Sequence, residues 1–76
     1  MIALEVNDIV QLSPEMCRNR AFAGCLMVVT EPKEWGAQGY VQALGVSRTE
    51  PGGQAYYRAR WDEMSGPLGR AAWVVA

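Results

Sequence analysis

The chain has no histidine, and its two cysteines, Cys17 and Cys25, form no CxxC pair. A structural zinc site takes about four Cys or His ligands, so this chain holds too few to build one alone. Without histidine it also lacks the usual general base near neutral pH, and it can assemble no Ser-His or Cys-His nucleophile. Neither GxxxxGK[ST] nor GxGxxG occurs, which removes the common phosphate-cradling loops. The eight acidic residues form no obvious catalytic pair in an apolar context. These absences predict a chain that is not an enzyme and that carries no metal or cofactor.

Long hydrophobic runs are missing too. The stretch Leu26-Met27-Val28-Val29 is far too short to cross a bilayer. Residues 1–30 contain no charged region leading into an apolar one, as a secretory leader would. A small secreted scaffold usually carries about four to eight cysteines. The expectation is therefore a cytoplasmic protein with reduced thiols, Cys25 serving as a small core hydrophobe and Cys17 as an exposed loop thiol. With 76 residues, half of them hydrophobic, and a formal charge of -1, the chain reads as one small globular domain, 1–76.

Glycine and proline are plentiful: eight and four residues, spread along the chain. They leave no room for long helices and suit an all-β fold of short strands. The expected strands are Ile9–Leu12, after an extended lead-in with a turn at Asn7-Asp8; Ala23–Glu31, stopped by Pro32; Gly39–Leu44, ending at Gly45; Gln54–Trp61; and Ala71–Val75. The second is apolar on both faces and is expected to be central and most buried. Glu50-Pro51-Gly52-Gly53 reads as a hairpin turn. Asp62-Glu63-Met64 reads as one helical turn capped by Asp62, ended by Gly66-Pro67 and Gly69. Alternation puts Ala55, Tyr57, Ala59 and Trp61 on an inward face and Gln54, Tyr56, Arg58 and Arg60 on a wet one. This order of strands, loops and one helical turn before the last strand predicts a five-stranded SH3-like small barrel.

Val6-Asn7-Asp8-Ile9-Val10-Gln11-Leu12, followed by Phe22-Ala23-Gly24, resembles the opening of KOW and other SH3-like barrels. Those often begin Gly-Asp-x-Val and carry Phe-x-Gly before the second strand; here Asn7 stands where glycine is usual. The stretches FAGCLMVVTEPKEWGAQGYVQ and GGQAYYRARWDEM make the chain resemble short accessory proteins of tailed phages and prophages. The first resemblance implies binding of RNA or proteins. The second implies an accessory role in an infected bacterial cell. Neither supplies a functional residue.

The candidate contact residues come from the sequence itself. Trp35 lies in a loop, Pro32–Gln38, and tryptophan is favoured at binding hot spots; its alternative use is to close one end of the core. Tyr56, Arg58 and Arg60 combine an aromatic with two cations on one face, suited to a protein partner or to stacked bases and phosphates; the alternative is a solvated face whose arginines pair with Glu63 or Glu31. Arg18 and Arg20 join that patch if the Ser13–Phe22 loop folds over it. Phe22, Trp35, Tyr40 and Tyr56 could form an aromatic cage, though core packing is the better reading. Trp61, Trp73 and Met64 read as core. A sequence pI of about 5.2 weighs against nucleic acid. The leading expectation is a non-catalytic protein-interaction module. The alternatives are a small RNA- or DNA-binding module and a structural or homo-oligomeric virion component.

Overall fold

Asp8–Leu12 alternates so that Asp8, Val10 and Leu12 are buried while Ile9 and Gln11 are half-buried, the period-two pattern of a strand with one face on a core. The structure, a computed structural model, describes residues 3–42 and 54–72. The five strands are β1 Asp8–Leu12, β2 Leu26–Lys33, β3 Gly36–Gln42, β4 Gln54–Arg60 and β5 Met64–Arg70, with a 3-10 turn, η1 Trp61–Glu63, between the last two. They form one antiparallel sheet in the order β4-β3-β2-β1-β5. Among the described residues no ladder joins β4 to β5, so the sheet is open.

The turn that launches β1 fits the residue found there. Asn7 has a φ of 76°, in the left-handed region that glycine and asparagine tolerate best. The core follows from the register. Val10, Met27, Val41 and Ala55 lie in one cross-strand row, and Val29, Gly39 and Tyr57 in the next. At Gly39 the sheet has no space for a side chain: a Cβ would fall on the Val28 carbonyl and the Met27 side chain. Phe22, Ala23 and Cys25 from the 13–25 segment, together with Trp61 and Met64, pack against this layer.

Several expectations are corrected. β2 does not stop at Pro32 but runs through it to Lys33; a bulge between Val29 and Glu31 precedes the proline, the kind of irregular strand end that tolerates a missing donor. The expected Pro32–Gln38 loop is thereby reduced to a two-residue hairpin turn, Glu34-Trp35. β2 is central, yet it buries only one face, since Met27 and Val29 are inside while Leu26 is 53% exposed. Gly66, Pro67 and Gly69 do not end a helical turn ahead of the last strand; they lie inside β5. Ile9 pairs with Gly69 and Gln11 with Ser65, so a step of two on β1 is matched by a step of four on β5, and Gly66-Pro67-Leu68 bulges outward. Ala71 and Ala72 are not strand. The two thiols, both free, exchange roles: Cys17 is buried and Cys25 half-buried. The expected hairpin at Glu50–Gly53, the end of the third strand at Ala43–Gly45, and Trp73–Val75 lie outside the described residues. None of the described helical residues forms a segment long and apolar enough to cross a membrane.

Candidate functional site

The face assignment of β4 holds. Tyr56, Arg58 and Arg60 are exposed, Ala59 is buried, and Ala55 and Tyr57 are half-buried. Trp61 leaves the strand for η1 but still packs against the core. On the outer face the ladder aligns Ile9, Val28, Tyr40 and Tyr56 in one row, and Glu31, Gln38 and Arg58 in the next. Tyr40 and Tyr56 meet edge to face at 6.3 Å between centroids, a favoured aromatic geometry. Tyr56 nevertheless stays 68% exposed.

Trp35 joins this face through the hairpin turn. Gly36 lets β3 press against β4, because a Cβ there would strike the Ala59 carbonyl. The turn is also pinned from below: the Trp61 indole N–H donates to the Glu34 carbonyl at 2.8 Å, and the Trp61 backbone N–H to the Trp35 carbonyl at 3.3 Å. So held, the Trp35 ring lies 5.0 Å from the Arg58 guanidinium carbon, a cation-π pair. Trp35 is 37% exposed. The result is an exposed platform of Trp35, Arg58 and Tyr56 backed by the half-buried Tyr40, with Arg60 beyond. The cage reading fails because Phe22 is on the other side, edge-on to Tyr57 at 5.7 Å.

Arg18 and Arg20 separate. Arg20 donates to the carbonyls of Pro14 (2.6 Å), Glu15 (3.2 Å) and Cys17 (3.2 Å), so it staples its own loop and does not join the platform. Arg18 reaches β4: its Nη2 donates to the Arg58 carbonyl at 3.1 Å and its Nε to Glu63 Oε1 at 3.0 Å. Neither Arg58 nor Arg60 forms an ion pair among the described residues.

Glu63 is the residue the sequence reading undervalued. Helical-turn logic points to Asp62 as the cap, but Asp62 is exposed and Glu63 is 2% exposed. Its carboxylate accepts the backbone N–H of Arg18 (3.0 Å) and of Arg60 (3.1 Å), the Arg18 guanidinium, and a short hydrogen bond from the Tyr57 hydroxyl. Burial alone would raise its pKa; these donors outweigh burial and lower it to about 2. Burial and the bond to Glu63 push the Tyr57 phenol up to about 12. The Glu63 carboxylate is saturated by these four donors and orders the platform's edge. Among the described residues no His/Cys/Asp/Glu group could hold a metal ion.

The second buried acid, Asp8, sits on β1 beside the opposite edge strand, β5. It accepts the Glu5 N–H at 2.8 Å and faces Arg70 Nε at 3.5 Å. Arg70 also meets Glu5 at 3.2 Å and the Val6 carbonyl at 3.0 Å. Beside them Leu68, 61% exposed, flanks an open groove with Ala3 and Pro67. No family model, no curated protein and no solved structure matches the chain.

Proposed function

We propose that the protein is a non-catalytic binding module that takes a protein partner on the Trp35–Arg58–Tyr56 platform. The observation that carries this reading is the exposed stack of Trp35 on Arg58 beside the Tyr40–Tyr56 pair. Two distant segments, the β2–β3 turn and β4, converge to build it. Tyr, Trp and Arg are the residue types in which binding energy concentrates. The strand order β4-β3-β2-β1-β5, with a 3-10 turn between β4 and β5, supports the finer reading of the fold as an SH3-like small barrel. We place the module in the bacterial cytoplasm as a phage accessory protein, the setting its sequence resemblance implies.

The test is affinity capture from bacterial lysate with the unmodified chain and with Trp35→Ala and Arg58→Ala, each with and without nuclease. A protein retained after nuclease treatment and lost with either variant supports the reading. Retention that disappears with nuclease would replace it by nucleic-acid binding.

A further inference from the structure

We propose that the outer edge of β4 receives an extended, acidic segment of the partner as an added strand beside the five already present. The inference rests on the protein-binding reading above and states the form the partner takes.

The direction of the edge groups is fixed by two independent contacts. The Arg60 N–H donates to Glu63 Oε1 at 3.1 Å, and the Arg58 carbonyl accepts Arg18 Nη2 at 3.1 Å. Both groups therefore point away from β3. In an antiparallel strand the N–H and C=O of a residue point to the same side, and the side alternates. Tyr56, Arg58 and Arg60 thus turn their backbone polar groups to the edge, while Ala55, Tyr57 and Ala59 turn theirs to β3. The η1 end of the edge is closed by Glu63 and Arg18. Beyond it, no described residue meets the Arg58 N–H or either backbone group of Tyr56 outside the ladder. A row of such groups is a template for strand addition.

Charge decides the occupant. The side chains of the same three residues line the outer face, so an added strand sets its alternate residues opposite Tyr56, Arg58 and Arg60. Opposite charges across a pair stabilise and like charges destabilise. A segment with carboxylates at alternate positions is complementary. A second copy paired antiparallel about Arg58 is not, because that register sets the arginine against itself. Cations on an edge strand are a known guard against self-pairing.

The test uses the full chain, isotopically labelled, and two short synthetic peptides of alternating glutamate and valine. One has free amides; the other is N-methylated at the residues that would face β4. Expected are shifts and hydrogen-exchange protection of the Tyr56 and Arg58 amides with the first peptide, and binding at least about tenfold weaker with the second. Equal binding of the two peptides overturns strand addition and leaves the platform reading in place. No amide response to the acidic peptide at millimolar concentration also overturns it. A response to single-stranded oligothymidine in place of the peptide overturns both readings. Arg58→Glu, checked for its fold by circular dichroism, is expected to prefer a lysine-valine peptide; continued preference for the acidic one counts against the charge argument.

Discussion

The two edges of the sheet each carry a buried carboxylate beside an arginine, yet they are built to opposite ends. At the β4 edge Glu63 takes two backbone N–H groups, a phenol and a guanidinium. At the β5 edge Asp8 takes one backbone N–H and a longer contact of 3.5 Å from an arginine whose side chain is 60% exposed. The first acid ties three segments together; the second ties the turn before β1 to Arg70. Strand regularity differs in the same sense. β4 pairs with β3 without interruption from Gln54 to Arg60. β5 is broken by its bulge and by Pro67, which lacks a donor. A regular edge with a closed end offers a defined place for another strand, whereas a bulged edge deflects one.

The comparison is broken most directly at Glu63. Glu63→Ala strands two backbone N–H groups and a hydroxyl and empties a buried site, and is expected to cost about 3–5 kcal/mol, enough to unfold much of so small a domain. Asp8→Ala is expected to cost only about 1–2 kcal/mol. Urea titrations followed by circular dichroism measure both, and a larger loss at Asp8 would reverse the ranking of the two edges.

Acid gives the next effect. The Glu63 pKa is lowered in the folded state, so its contribution is complete above the ordinary value of about 4.5 and is lost as pH falls through about 2. Stability measured across that window should decline steeply in the unmodified chain and less in Glu63→Gln. Parallel curves would remove Glu63 as the group responsible.

A smaller effect is expected at Tyr57. Tyr57→Phe removes one donor to Glu63 and should cost about 1–2 kcal/mol. The Tyr57 pKa is raised in the folded state, and the phenol is neutral there. Its contribution is therefore present below the ordinary value of 10.0 and is lost as pH rises toward about 12. Ultraviolet titration of the folded chain should find one phenol ionising near that upper value, absent from Tyr57→Phe.

The smallest effect belongs to the platform. Replacing Tyr56, Arg58 and Arg60 together should change stability by no more than about 0.5 kcal/mol per residue, because their side chains face water. Unfolding of that variant would show that the outer face carries the fold as well as the contact.

The alternation of β4 was legible because its inward and outward residues differ sharply in size and charge. The turn at Asn7-Asp8 was legible from its residue types, and Asn7 takes the left-handed conformation there. Pro32, Gly66 and Pro67 misled because local punctuation says nothing of bulges, which depend on the neighbouring strand. Trp35 and Arg58 were each identifiable, but their meeting depends on a hairpin register no local pattern carries. Glu63 was hidden for a related reason. Beside Asp62 it reads as another surface acid, and three of its four donor groups come from residues distant in sequence or from backbone. Cys17 was misplaced because loop residues are usually exposed, and here the loop folds back over the core.

That loop waits for its anchor during synthesis. Arg18 and Glu63 are 45 residues apart. At roughly 5–20 residues per second, a ribosome needs about 2–9 s to make the intervening chain. Over that interval Phe22 lacks its ring partner until Tyr57 is made, and β1 lacks the outer neighbour that Met64–Arg70 later supplies. Until residue 63 has been made, Arg18 has no carboxylate to latch to, so this contact is among the last the chain can form.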